Sequence, residues 1–174
     1  MRFKFKFIIF LFYFNLNSVK NEEFLPWRMF GGFIDRQCQN YGDYLEARDF
    51  ALADRLALRA KSIEKYFTRK CCSIRMSYRD IGYYEVELTH VQFGVWYVSQ
   101  HPYTSRNQKV RFSRPNQKEE LLVEWAPMDL SVGQLNETNR YYFENNLLNM
   151  VVEYGDVRMH CSFYQTKGDS PYLK

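Results

Sequence analysis

The sequence predicts an α+β fold, a single domain in which N-terminal helices pack on a curved antiparallel sheet. Two observations carry this. Apolar residues recur at helical spacing between Phe33 and Phe67, and the period falls to two after Lys70. No strand–helix–strand alternation, internal repeat or linker interrupts the stretch 33–165, which argues against a parallel sheet or a second domain. The chain has 174 residues, enough to bury a real core, and 46% of them are apolar, which excludes a disordered polymer.

The helical segment comes first. Leu45, Leu52, Leu56, Ile63 and Phe67 fall on one helical stripe, with Ala47, Ala51, Ala53, Ala57 and Ala60 favouring helix. Arg48, Asp49, Asp54, Arg55, Arg59, Lys61, Glu64 and Lys65 supply the wet face. Gly42-Asp43 interrupts the region, with Asp43 as an N-cap, so one long helix and two shorter ones both fit.

The strands follow. Ile74, Met76 and Tyr78 alternate with Ser73, Arg75 and Ser77, and Tyr84, Val86 and Leu88 alternate with Glu85 and Glu87. Val91 to Ser99 continues as an apolar strand, with a bend near His90 or a bulge at Gly94 relieving its length. Val110 and Phe112 form a hairpin with Leu121, Val123 and Trp125 through Pro115-Asn116-Gln117. Residues 127–139 read as a loop. Phe143, Leu147, Met150, Val151 and Tyr154 also fit a helix, but Met150 to Phe163 around Gly155-Asp156 makes the stronger β-hairpin. Five to seven strands are expected.

Residues 1–18 read as a signal peptide: Arg2, Lys4 and Lys6 precede the apolar run Phe7–Phe14, and Ser18 ends a polar stretch suited to cleavage. Eight apolar residues fall short of the ~17–25 that span a bilayer, so no stable membrane insertion is expected. The remaining divisions are an N-terminal extension, 19–32, the domain, 33–165, and a C-terminal tail, 166–174. The whole chain carries a net charge of +4, but without the three leader cations 21 basic residues face 20 acidic ones. Near neutrality argues against a nucleic-acid partner. Secretion agrees with a sequon, Asn136-Glu137-Thr138, whose Asn136 is the expected glycan acceptor.

Cys38, Cys71, Cys72 and Cys161 are an even set suited to disulfides in an oxidising compartment. A bridge between the neighbours Cys71 and Cys72 is discounted because it needs a strained peptide. Strand parity places Cys72 with Ile74 and Met76 and places Cys161 with Met159 and Phe163, which favours Cys72–Cys161 with Cys38–Cys71. A metal site is not expected: there is no C-x-x-C pair, and His90, His101 and His160 stand at no ligand spacing.

Helices ahead of a bent antiparallel sheet resemble the cone-shaped fold of nuclear transport factor-like proteins, including secreted nematode members. The residues that carry the resemblance are Phe33-Ile34-Asp35-Arg36 through Ala47-Arg48-Asp49-Phe50-Ala51-Leu52-Ala53-Asp54-Arg55-Leu56, with Arg48-Asp49 as the break between two helices. Cys71-Cys72 at the start of the sheet and the late Cys161 also look like the secreted members. The resemblance implies a pocket inside the cone, where enzymes of that fold place an Asp or His base beside Tyr donors. No catalytic residue carries over, because none of their site motifs matches here.

Among the titratable residues, His90 follows the parity of Tyr84 and Val86 toward the concave face, where proton transfer is conceivable; a backbone-bonded strand-end histidine is the bland reading. His101 and His160 read as surface residues. Glu85 and Glu87 share a strand face, as paired carboxylates would, yet lie opposite the apolar parity and so read as solvated. No G-x-S-x-G, H-E-x-x-H, G-x-G-x-x-G or P-loop occurs, and no cofactor is expected. Tyrosine and tryptophan crowd the β half, which suits a recognition surface or an apolar pocket. These features point to a secreted, disulfide-stabilised, non-catalytic protein that binds a protein partner or a small apolar ligand. His90, Tyr84 and Tyr97 are the ligand-wall candidates. The alternative is a small cofactor-free isomerase or lyase with its site inside the cone.

Overall fold

A computed structural model describes residues 27–70, 73–78, 84–89, 92–104, 106–115, 119–129 and 135–166. After a 3-10 turn at Trp27–Met29 come β1 (Gly31–Gln39), α1 (Tyr41–Ala47), α2 (Leu52–Arg59), β2 (Glu64–Lys70), β3 (Ser73–Tyr78) and β4 (Tyr84–Thr89). The chain continues through β5 (Trp96–Gln100), β6 (Asn107–Ser113), β7 (Glu120–Pro127), β8 (Glu137–Glu144), β9 (Leu147–Tyr154) and β10 (Val157–Gln165). All ten strands form one antiparallel sheet in the order β4-β3-β2-β1-β10-β9-β8-β7-β6-β5. Each strand pairs with its neighbour in sequence except at two places: β1 returns to pair with β10, and β4 and β5 are the two ends of the order.

The α+β class holds, but the helices are not N-terminal to the sheet. They are inserted between β1 and β2, and the helical reading of 33–67 covered both of those strands. The stripe Leu45–Phe67 is therefore not one surface. Leu45 is buried on α1 and Phe67 on β2, whereas Leu52 and Leu56 are 63% and 58% exposed on α2. The interruption falls at Arg48-Asp49, where Asp49 turns the chain with φ 63°. Asn40, not Asp43, precedes the first helical residue. The count of five to seven strands missed β1, β2 and β8, the last of which begins inside the expected loop 127–139.

Alternation along β6, β7 and β10 makes this part of the sheet one-sided. On β7, Leu121, Val123 and Trp125 point inward; on β6, Val110 and Phe112 do; on β10, Met159, Cys161 and Phe163 do. They meet Phe33, Phe67 and Tyr141, with Phe67 and Tyr141 rings edge to face at 5.3 Å. Met29 is buried as well, so packing begins a few residues ahead of Phe33.

The disulfide is Cys38–Cys161, with Cα atoms 4.1 Å apart, which corrects the favoured Cys72–Cys161 and Cys38–Cys71 pairing. A bulge in β1 between Asp35 and Gln37 explains the difference. The extra residue shifts the alternation, so Cys38 stands directly opposite Cys161 on the inward face. Cys71 and Cys72 lie outside the described residues, as do the leader 1–18 and the tail from 167 onward.

Candidate functional site

The interior has one polar end, lying where the helix pair meets the sheet. Arg48 closes the C-terminus of α1, Lys65 points inward from β2 between Ile63 and Phe67, and Glu137 opens β8. His101 follows β5 and is fixed by its backbone N–H donating to the Arg106 carbonyl at 2.9 Å. The side chains of Arg48 and Glu137 are 3% and 2% exposed, and that of His101 is fully buried. Both Arg48 and Lys65 were assigned to the wet face, and His101 to the surface. All three assignments are corrected.

Glu137 is the hub. Arg48 Nη2 makes a direct ion pair with its Oε2, and the Tyr44 hydroxyl donates to the same oxygen at 2.8 Å. Asn139 Nδ2 donates to Oε1 at 2.9 Å, and His101 Nε2 stands 3.4 Å from Oε1. Arg48 also lies over the Tyr154 ring, 4.0 Å from its centroid. The Lys65 ammonium is 5.8 Å from the centroid of Tyr103.

The tautomer of His101 follows from its neighbours. Its Nδ1 accepts the Tyr103 backbone N–H at 3.2 Å, so Nε2 carries the proton and faces Glu137. Burial, then Arg48 and then Lys65 hold His101 well below the ordinary histidine range. Together they outweigh the pull of Glu137, whose charge Arg48 already offsets. His101 therefore sits neutral with both ring nitrogens engaged, and its ring meets Trp125 edge to face at 4.8 Å. It offers no lone pair to a substrate.

A cavity of about 10 Å³, room for one water, adjoins the cluster. Tyr44, Lys65, Tyr103, Glu137 and Asn139 line its polar side, and Tyr141, Met150, Val152 and Met159 its other side. Asn139 Oδ1 is buried on this wall without a hydrogen-bond partner among the described residues.

Of the residues singled out from the sequence, Tyr97 packs against the core from β5, and its hydroxyl accepts the Gln92 backbone N–H at 2.6 Å. Tyr84 lies on β4, and His90 lies outside the described residues. His160 stands on the outer parity, half-buried, with Nε2 3.1 Å from Asn149 Oδ1. Asn136 is exposed just ahead of β8. The sequence reading missed Arg48, Lys65, Glu137, Asn139 and His101 as a group. The one available signal was parity: Ile63-Glu64-Lys65-Tyr66-Phe67 puts a lysine on the apolar side of a strand.

No family model matches the chain, and no curated protein does at the sequence level. Solved structures do. Apo lipid binding protein 8 of Caenorhabditis elegans overlaps with a TM-score of 0.70 at 13% identity, over 80% of this chain and 96% of that one. The fatty acid binding protein of Schistosoma mansoni in complex with arachidonic acid gives 0.65 at 14% identity, covering 83% and 100%. As-p18, an extracellular fatty acid binding protein, gives 0.64 at 18% identity, covering 82% and 99%. The chain has the fold of the fatty-acid-binding proteins. This overturns the resemblance to nuclear transport factor-like proteins. That reading took β1 for helix, and so put helices ahead of a bent sheet in place of a strand, a helix pair and a nine-strand return.

Proposed function

We propose that the protein is a secreted, non-catalytic carrier that holds a small apolar ligand inside the curled sheet. The observation that carries this reading is the architecture: a ten-strand meander with two helices between β1 and β2, around an interior lined among the described residues by aromatic and methionine side chains, with a polar cluster where the helix pair meets the sheet. Proteins whose names state that they bind lipids or fatty acids share this fold. Tyr97 then forms part of the ligand wall, and Tyr84 and His90 are proposed to contribute to it as well. Secretion is supported by the leader-like 1–18, by the Cys38–Cys161 bridge, and by an extracellular neighbour. Asn136, exposed before β8, is the glycan acceptor in this reading.

The cavity beside the polar cluster holds about one water, so a ligand that reaches this end of the described interior displaces side chains there. The test is to recover the full chain from a secreting culture, remove bound lipid by organic extraction, and titrate it with Nile red. Saturable binding at one site per chain, with a lipid in the extract, is the expected result. A correctly bridged protein that binds no Nile red and releases no lipid overturns the reading.

A further inference from the structure

We infer that the polar end takes an apolar acid with a hydrogen-bond donor beside its carboxylate, an α-hydroxy fatty acid being the simplest case. Lys65 meets the charge and Asn139 accepts from the donor. The inference rests on the carrier reading above and names its ligand class.

Charge sets the first requirement. Among the described residues this end holds two buried cations, Arg48 and Lys65, and one buried carboxylate, Glu137. His101 adds no charge at neutral pH, since burial and the two cations hold its ring neutral. Glu137 is paired with Arg48, so the excess at the cavity is positive and a single anion balances it. Lys65 lines the cavity wall, and Arg48 keeps Nε buried without a hydrogen-bond partner among the described residues. Donors therefore remain for the oxygens of an incoming carboxylate.

Hydrogen bonding sets the second requirement. Asn139 is 4% exposed and lies on the same wall. Its Nδ2 donates to Glu137 Oε1 at 2.9 Å, and because an ionised carboxylate can only accept, the amide is oriented with Oδ1 as its other end. That Oδ1 is buried without a hydrogen-bond partner among the described residues. The cavity has room for about one water, whose O–H would meet it. A head group that takes the place of the water without a donor of its own leaves Oδ1 buried and unmet, which is costly. A plain fatty acid supplies the charge and no donor, and an alcohol supplies the donor and no charge. A hydroxyl on the carbon next to the carboxylate supplies both from one head group.

The test uses the full, lipid-free, disulfide-intact chain at neutral pH. Each enantiomer of α-hydroxypalmitate, palmitate, and methyl α-hydroxypalmitate are set to displace Nile red. One enantiomer of the hydroxy acid is expected to displace the dye at about one-tenth of the concentration that palmitate or the ester needs. Asn139→Val should bring the hydroxy acid and palmitate level, and Lys65→Met should bring the hydroxy acid and its ester level. The wild-type comparison decides alone if a variant does not fold. Palmitate or the ester displacing as well as the better enantiomer, or no displacement by either enantiomer, overturns the inference and leaves the carrier reading intact. A folded variant that keeps the full preference overturns it too. Absence of Nile red binding to the wild type removes the carrier reading, and the inference with it.

Discussion

Arg48 and Glu137 form an ion pair that water scarcely reaches, and its removal by halves should be costly. Arg48→Met strands a buried carboxylate and is expected to lower stability by about 3–5 kcal/mol. The double change Arg48→Met with Glu137→Leu should recover most of that loss, because two charges leave together. Urea denaturation midpoints of the three proteins check this; a double variant as unstable as the single one contradicts it. His101 gives the pH dependence. Its folded value lies below its unfolded value of about 6.5, so the unfolded chain takes up the proton first as pH falls. Its contribution is therefore complete above about pH 6.5 and declines below it, by up to about 1.4 kcal/mol per pH unit. His101→Gln should flatten the stability–pH profile in that window, and an unchanged slope would show that His101 is not the group. These residues were hard to read in advance because Lys65, Arg48 and Glu137 belong to types that are rarely buried unless paired, and the Arg48–Glu137 pair joins the end of α1 to the start of β8, far apart in the chain.

At the scale of the element, the bulge in β1 decides the covalent structure. Without the extra residue between Asp35 and Gln37, Cys38 would face away from Cys161. Digestion without reduction should yield one cross-linked peptide pair containing Cys38 and Cys161; a Cys72–Cys161 peptide contradicts the assignment. A link closing 123 positions stabilises by about 5 kcal/mol in the chain-entropy picture, so Cys38→Ser with Cys161→Ser should show a loss of about 2–5 kcal/mol in denaturant. The β9–β10 hairpin was legible because Gly155-Asp156 marks its turn. Gly155 has φ 58°, and a Cβ there would stand 2.7 Å from Leu135 Cδ1, so Gly155→Val should lower the melting temperature by several degrees. The β8–β9 turn at Asn145-Asn146, with φ 51° and 61°, uses asparagine for the same left-handed backbone and left a weaker signal. β1 and β2 were lost for a different reason. α1 and α2 lie between them, and the helical periodicity of that stretch was extended over the strands on either side.

At the scale of the whole molecule, most of the sheet from Ser73 onward was legible, because strands such as β6, β7 and β10 alternate with one face buried, whereas β8 begins inside the stretch read as a loop. The closure was not. Pairing of β1 with β10 joins residues more than a hundred positions apart, and local periodicity carries no information about it. With β1 read as helix, the chain runs from helices to strands, which points to the wrong superfamily while leaving the broad class in place. The central claim is that an apolar ligand sits inside the curled sheet. The most direct measurement is a titration of isotope-labelled, lipid-free protein with α-hydroxypalmitate, followed by amide and side-chain NMR shifts. The account predicts saturable shifts at Tyr103, Glu137, Asn139 and Tyr141, together with the side-chain amide of Asn139. Shifts confined to exposed residues such as Leu52, Leu56 and Val98, or no saturable shift at all, would contradict it.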